Sequence, residues 1–503
     1  MALQDDIITG GHDYASSPAL LFEGRTWSYG ELDAVTDSMA ANLMAHGLRR
    51  GDRVALLFAN GPEIVFSYYA CFKAGLIAVP INTRMKGPEQ AYVLRHSGAR
   101  ALLGQKDLLQ VPEPERAELE SLEMCFLTGL TTPSGDVQPF ETLLTAVPTP
   151  DLPAIDAGDI AAVFYTSGTT AKPKGVTHTH ASLECLAASC IECWGRDDLS
   201  IYAMVPPLCH MGAFGTMLST FRAGGALLTI PGFNPMALLQ AVQTYRVTAF
   251  WLVPAMYAAL TQVPDAASHD LSSLRLCQSG GDSMPEPIRE RFRTMFGPEI
   301  VEVCGMTELI YSSNAPGEGN RPGSIGRPLP GVSMRLIDDA GADTTRGEIG
   351  EIVVRSDAMM TGYWQDPEAT ASAVREGWLY TGDLAWEDAD GYYWFAGRKK
   401  DIIIRGGSNI APAEVEEALC THPAVHMAGV VGVSDPVHGQ AVWAFVTLKP
   451  GTMADEAEIK SHVRERVADY KTPETIRIVP TLPIGLTGKI HRATLREWAA
   501  AGA

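Results

Sequence analysis

Residues 165–175 read Tyr-Thr-Ser-Gly-Thr-Thr-Ala-Lys-Pro-Lys-Gly, the densest run of anion-binding chemistry in the chain. Thr166, Ser167, Thr169 and Thr170 carry hydroxyls, Gly168 and Gly175 free the backbone, and Lys172 and Lys174 bring positive charge. The apolar run 160–164 comes just before, so a strand feeds a loop rich in hydroxyls, backbone N–H groups and ammonium groups. Such groups suit polyphosphate oxygens, through charge-assisted hydrogen bonds and a concave backbone nest. The common phosphate loop, G-x-x-x-x-G-K-[ST], is excluded because it needs glycine where Pro173 stands. A plain polar surface loop is the alternative open to any stretch of Gly, Thr and Lys.

A loop of this kind needs a framework of strands and helices to hold it. Ser28-Tyr29-Gly30-Glu31 has the form of a capping box, and Leu32, Val35, Met39 and Leu43 follow at helical spacing. A buried strand is predicted over 54–58, a helix over 63–75 and a strand over 77–80. This alternation predicts α/β layers with largely parallel sheets. Two joints stand out: the proline-rich connector 147–153, and residues 398–401, where a β-rich stretch ends. Beyond the second, a helix near 413–418 and strands near 427–431 and 441–446 make a small α+β unit of about a hundred residues. The expected division is 1–398 for a large N-terminal domain and 399–503 for a small mobile one.

Composition bounds the function. The 503 residues are 46% apolar and 19% charged, an ordinary globular balance. A net charge of −20 disfavours nucleic acid and anionic membrane surfaces, both of which are held by excess Lys and Arg. The start, residues 1–6, is acidic and unlike a signal peptide. The longest apolar stretch, 249–260, is interrupted by Pro254 and falls short of the roughly 18 residues of a membrane span. Nine scattered cysteines suit a reducing cytoplasm. Cys190 and Cys193, with Cys185 nearby, have redox or zinc spacing, but no second pair completes a site, so they read as helix cysteines. A cytoplasmic protein with no integral membrane segment is expected, and a homodimer is left open.

Four further segments accompany the loop in order: Cys304-Gly305-Met306-Thr307-Glu308, Tyr380-Thr381-Gly382-Asp383, Gly397-Arg398-Lys399-Lys400-Asp401 and Gly485-Leu486-Thr487-Gly488-Lys489. Together with 165–175 they resemble the five motifs of the adenylate-forming superfamily, which includes acyl-CoA synthetases, peptide-synthetase adenylation domains and firefly luciferase. The likeness extends from about Trp27 onward. It implies a carboxylic acid activated by ATP as an acyl-adenylate, then passed to the thiol of coenzyme A, with Mg²⁺ on the nucleotide. Two anions meet in the first step, so the site must supply positive charge placed for the transition state.

The resemblance also implies roles. Thr166, Ser167, Gly168, Thr169, Thr170 and Lys174 are expected around the β- and γ-phosphates. Thr307 is expected at the α-phosphate, Glu308 at Mg²⁺, and Asp383 at the ribose hydroxyls, with Arg398 assisting. Gly280-Gly281-Asp282 and Cys304-Gly305-Met306 are expected along the adenine. Lys489 is the expected adenylation catalyst. Lys400 is the expected hinge of the small domain, with Gly406 and Gly407 near the coenzyme A channel.

The acyl pocket is expected at His210, Met211, Gly212, Trp251, Gly280 and Val303, mostly apolar or small. Residues 204–220 hold no acidic side chain to pair with an amine, so an α-amino acid is not the expected substrate. A fatty acid is the first expectation and an aromatic acid of the benzoate or cinnamate kind the second. Transfer to a carrier-protein thiol stays open as an alternative. Three departures stand out: Ala171 where glycine is usual, Cys304 where an aromatic residue is usual, and Ser408 where glutamate is frequent.

Overall fold

The computed structural model describes residues 3–5, 14–111, 113–133, 135–147, 151–166, 173–405, 408–485 and 489–501. Among them, two large sheets form the N-terminal part. One has nine strands in the order Arg327–Pro328, Ile310–Ser313, Ile300–Gly305, Leu276–Gly280, Ala249–Leu252, Ile201–Met204, Ala226–Thr229, Pro18–Phe22 and Arg25–Ser28. The other has eight: Gly362–Tyr363, Lys174–Thr179, Ile160–Thr166, Ile77–Pro80, Arg53–Leu57, Ala101–Gln105, Met124–Thr128 and Val137–Pro139. The middle of each sheet is parallel and antiparallel pairs lie at the edges.

Helices connect and cover the parallel strands, as right-handed crossovers require. The predicted capping box is present: Ser28 Oγ accepts from Glu31 N at 3.2 Å, and Glu31 Oε2 accepts from Ser28 N at 2.8 Å. The next helix, Pro62–Ala74, is buried almost all round and ends at Gly75, whose φ of 67° is the left-handed conformation glycine takes without strain. Its Tyr68 and Phe72 meet Phe214 of the helix Met211–Arg222, at centroid separations of 4.8 and 6.2 Å. Phe164 of the strand Ile160–Thr166 joins them at 5.0 Å. Each such ring contributes about 1.5–3 kcal/mol by leaving water, and together they tie the helix layer to that strand.

A five-stranded antiparallel sheet follows, built from Ser333–Ile337, Gly350–Arg355, Trp378–Glu387, Val374–Arg375 and Tyr393–Arg398. The small C-terminal domain has its own sheet of Ser408–Ile410, Ile403–Arg405, Gly439–Leu448, Val425–Asp435 and Thr475–Ile478. Its two long strands alternate cleanly. Val430, Val442, Ala444 and Val446 cluster with Val415 and Leu419 of Pro412–Cys420 and with Ile459 and Val463 of Glu456–Arg464. Val431 and Phe445 cluster with Leu495 and Ala499 of the last helix, Arg492–Ala500. That period of two is the signature of a sheet covered on both faces.

Arg496 of the last helix pairs with Asp401 at 2.9 Å, while Lys399 reaches Asp339 and Glu351, each at 3.0 Å. These ion pairs bracket the expected hinge. Among the described residues, no helix is long and apolar enough to cross a membrane. Cys190 lies buried on the helix His180–Trp194 and Cys193 is partly buried there, each as a free thiol. Residues 148–150 of the proline-rich connector lie outside the described residues.

Candidate active site

The strands Ile160–Thr166 and Lys174–Thr179 pair antiparallel as a hairpin, with Thr166 opposite Lys174. Thr166 and Lys174 are half-buried at its base; Ser167, Gly168, Thr169, Thr170 and Ala171 lie outside the described residues. The two-residue strand Gly362–Tyr363 adds to the hairpin's edge, with Tyr363 opposite Val176. Lys174 Nζ stands 4.9 Å from the centre of the Tyr363 ring, and the Tyr363 hydroxyl donates to Glu308 Oε1 at 2.7 Å. Cation, ring and carboxylate therefore form one connected group.

Glu308 is 5% exposed. Burial raises its carboxyl pKa, and the Tyr363 hydroxyl, Arg398 and Lys174 each pull it back. Among the described residues no group of three His, Cys, Asp or Glu side chains could hold a metal. A single buried carboxylate does fit Mg²⁺, which keeps several waters and takes phosphate oxygens as further ligands. It does not fit a resident ion caged by protein.

Thr307 is held from below. Its carbonyl accepts from His178 Nε2 at 2.9 Å, on the second strand of the hairpin. Burial pushes the His178 pKa down to about 4, so the ring is neutral. Because a carbonyl only accepts, the proton is on Nε2, and Nδ1 is left to face Ser182 Oγ at 3.4 Å.

Asp383 and Arg398 are opposed on adjacent strands, and Asp383 Oδ1 lies 3.0 Å from Arg398 Nε. That approach is out of line for a hydrogen bond, and Oδ1 is a buried acceptor without a donor. Oδ2 accepts from the Tyr311 hydroxyl at 2.8 Å. The same hydroxyl is 3.2 Å from Cys304 Sγ, whose pKa burial pushes up to about 12, so the thiol stays protonated and can donate to it. Gly305 follows at a register shift, where a Cβ would come within 2.6 Å of Ile310 Cα. The Met306 N–H donates to Leu309 O at 2.9 Å and closes that turn.

Lys489 comes from the small domain. Its Cε is 3.7 Å from where a Cβ on Gly281 would sit. Burial lowers its pKa first, Arg398 lowers it further, and the carboxylates of Asp282 and Asp383 oppose both. Asp282 is exposed, and its charge also acts on Arg492 and Glu416 of the small domain. Lys400 is exposed in the turn Lys399–Asp401. Gly406 and Gly407 lie outside the described residues.

Of the residues expected at the acyl pocket, Gly212 and Gly280 meet Trp251. At Gly280 a Cβ would lie 2.9 Å from Val303 O and 3.0 Å from Trp251 Nε1, so only glycine fits. Gly281 has φ +90° and brings the chain past the far edge of the indole. From the helix Met211–Arg222, Gly212 faces Trp251 Cζ2, with 3.7 Å left for a Cβ. Met211 is buried and Val303 half-buried. His210 caps that helix, and its Nε2 is 3.2 Å from Asn82 Nδ2. Asn82 Oδ1 already accepts from Arg84 N at 2.9 Å, so the amide offers its NH₂ and His210 Nε2 accepts. Burial, Arg84 and Lys489 push the His210 pKa down to about 4.

Sequence reasoning missed Tyr311, Tyr363, His178 and Asn82. Tyr363 had a faint signal in Gly362-Tyr363-Trp364, an aromatic pair directly after a glycine; the others read as ordinary strand or loop residues. Taken together, Lys174, Arg398 and Lys489 and the carboxylates of Glu308 and Asp383 lie within electrostatic reach of one another. Such a set can bind a triphosphate, neutralise charge at one phosphorus and hold a carboxylate in line with it.

The chain is similar to known proteins along most of its length. Residues 11–364 match the family model described as AMP-binding enzyme, and residues 414–489 match its C-terminal domain. A long-chain-fatty-acid–CoA ligase of Bacillus subtilis (strain 168) is 32% identical, covering 98% of this chain and 94% of the relative. A feruloyl-CoA synthase of Amycolatopsis sp is 36% identical over 94% of each. The crystal structure of an anthranilate CoA ligase in complex with anthranoyl-AMP superposes with a TM-score of 0.93 at 32% identity, covering 100% of this chain and 98% of the other. The chain belongs to the AMP-binding enzyme family. Within it, the protein is an AMP-forming acid–thiol ligase of the acyl- and aryl-CoA ligase branch.

Proposed function

We propose that the protein activates a neutral aromatic carboxylic acid with ATP and transfers the acyl group to coenzyme A. One observation carries the choice of acid: the Trp251 indole lies against both Gly212 and Gly280, and in the proposed acyl pocket so large a ring shortens the cavity for an alkyl chain. This favours the aromatic expectation over the fatty-acid one. The feruloyl and anthranilate activities named for two relatives support it, while the Bacillus subtilis relative keeps fatty acids as the second reading.

The reaction runs in two displacements. A carboxylate oxygen of the acid attacks the α-phosphorus, the bond to the pyrophosphate oxygen breaks, and pyrophosphate leaves. Then the coenzyme A sulfur attacks the acyl carbon, the C–O bond to AMP breaks, and the thiol proton is lost to solvent. Lys489 steadies the attacking carboxylate and the α-phosphate, which suits a cation drawn from the small domain beside Gly281. Glu308 would hold Mg²⁺, which when bound would supply positive charge to the phosphate oxygens, and Lys174 with Thr166 meets the outer phosphates. Thr307 meets the α-phosphate, positioned by His178. Asp383 Oδ1, a buried oxygen with no donor of its own, accepts from the ribose. The mobile unit begins at 399, with Lys400 as hinge.

The test is a panel of acids assayed for AMP release with ATP and coenzyme A: benzoates, cinnamates and alkanoates of two to sixteen carbons. Aromatic acids should lead for wild type. Trp251→Ala should shift preference toward longer alkanoates, each newly buried methylene contributing up to about 0.8 kcal/mol. Folding of the variant must be checked, because losing a large side chain costs about 3–5 kcal/mol. A wild type that prefers sixteen-carbon chains sinks the aromatic reading. Holo-carrier protein offered in place of coenzyme A tests the remaining alternative.

A further inference from the structure

The helix Gly87–Ser97 is anchored firmly in the N-terminal core. Its Val93 and Leu94 are buried in the cluster that also holds Val163 of the strand Ile160–Thr166. Gln90 is fully buried and its carboxamide is used at both ends. Nε2 donates to Met85 O at 3.0 Å and to Leu108 O at 2.9 Å, and Oε1 accepts from Gln110 N at 2.9 Å. A helix held by apolar packing and by satisfied buried polar groups is a rigid support.

Two half-buried side chains one turn apart, Tyr92 and His96, reach from this helix to the hairpin. The Tyr92 hydroxyl donates to Pro173 O at 3.1 Å, and His96 Nδ1 lies 2.8 Å from the Tyr165 hydroxyl. The Tyr92 and His96 rings stack, with centres 5.4 Å apart and planes at 26°, and the Tyr165 ring stands edge-on to both. Tyr165 also lies against Gly175, its cross-strand partner, where a Cβ would come within 3.2 Å of Cζ. Burial raises the Tyr165 pKa, so its hydroxyl stays protonated at neutral pH.

The contacts fall at matching places on the two stems. Tyr165 directly precedes Thr166, Pro173 directly precedes Lys174, and Thr166 and Lys174 are opposed in register. Strand pairing fixes the stems relative to each other, and the helix fixes the pair against the core. Proline has no N–H, so the Pro173 carbonyl is the handle by which Tyr92 orients the peptide leading into Lys174.

We propose that Tyr92 and His96 are positioning residues for ATP: from one rigid helix they hold both stems of the hairpin and so set Thr166 and Lys174 against the outer phosphates. The inference rests on the nucleotide role given to Thr166 and Lys174 above. Neither ring needs to touch the nucleotide. A cation or hydroxyl acts fully on a phosphate only when its backbone is placed in advance. A pair that merely supported the fold would leave the preference between ATP and AMP alone.

Binding without turnover tests this, with Mg·ATP and AMP titrated separately in the absence of acid and coenzyme A. AMP lacks the outer phosphates and so reports the rest of the nucleotide site. Lys174→Ala calibrates the readout: it should weaken ATP and spare AMP. Tyr92→Phe keeps the ring and loses one hydrogen bond. It should weaken ATP about three- to tenfold and leave AMP within about twofold. His96→Leu and Tyr165→Phe should do the same, and His96→Asn, whose amide can stand where Nδ1 lies, should recover most of the loss. Conversion of supplied acyl-AMP to acyl-CoA should be unchanged in Tyr92→Phe. Equal weakening of ATP and AMP, or ATP affinity unmoved in both Tyr92→Phe and Tyr165→Phe, overturns the proposal and leaves the reading of Lys174 standing. An ATP-to-AMP ratio that survives Lys174→Ala removes the outer-phosphate role itself, and the proposal with it.

Discussion

The hydroxyl of Tyr311 donates to Asp383 Oδ2 at 2.8 Å and leaves Oδ1 buried beside Arg398 Nε with no hydrogen-bond donor. Tyr311 is itself fully buried, on the strand antiparallel to the one that carries Cys304. One residue of the nine-stranded sheet thereby orients a residue of the antiparallel sheet, the carboxylate proposed as the ribose acceptor.

Tyr311→Phe should free that carboxylate to turn. The expected effect is a rise in KM for ATP of roughly five- to tenfold with kcat within about twofold, and a loss of about 1–2 kcal/mol in stability. Steady-state kinetics and urea unfolding read the two effects separately. An unchanged KM would mean that Asp383 needs no orienting partner.

Tyr363→Phe keeps the ring against Lys174 and removes the hydroxyl from Glu308. That hydroxyl lowers the Glu308 pKa, which burial has raised. The working form is the carboxylate, lost as pH falls through its pKa, so removing the hydroxyl should move the acid limb of the kcat profile to higher pH. A profile with an unmoved acid limb would take Glu308 out of the rate-limiting charge state.

In the proposed mechanism Lys489 works as the cation, and burial lowers its pKa. Adenylation should therefore decline as pH rises through a value below the ordinary lysine range of about 10.4, and Lys489→Arg should carry that limb upward. Lys489→Ala should slow acyl-AMP formation by roughly 10²–10³, the scale for losing one placed charge stabiliser. Turnover of supplied acyl-AMP to acyl-CoA should change little. Equal loss in both half-reactions would remove the lysine from this role.

Much of this was legible in the chain. The helices Tyr29–Ala45 and Pro62–Ala74 and the strand Ile77–Pro80 fall where capping and apolar spacing put them, because their signals are local. The five ordered segments marked Lys174, Thr307, Glu308, Asp383, Arg398 and Lys489, all charged or hydroxylated. Their supports were hidden for a physical reason. Tyr311, Tyr363 and His178 act across separations of 72, 55 and 129 residues, and the effect of each depends on which strands lie side by side.

Lys400→Pro should divide the reaction at the hinge. Proline fixes φ near −65°, so the pose with Lys489 over Gly281 should persist while rotation to a second pose fails. Adenylation should survive and thioester formation should collapse, as measured on the two half-reactions separately. Wild-type rates in both would move the hinge elsewhere.

The most direct measurement is a product balance on wild-type protein with Mg·ATP and an aromatic acid, with and without coenzyme A. Without coenzyme A, a burst of about one pyrophosphate per protein should appear and then stall, with acyl-AMP retained. With it, AMP, pyrophosphate and acyl thioester should form in equal amounts over many turnovers. Release of ADP and phosphate, or sustained AMP formation with no thioester, would contradict acid–thiol ligation through an acyl-adenylate.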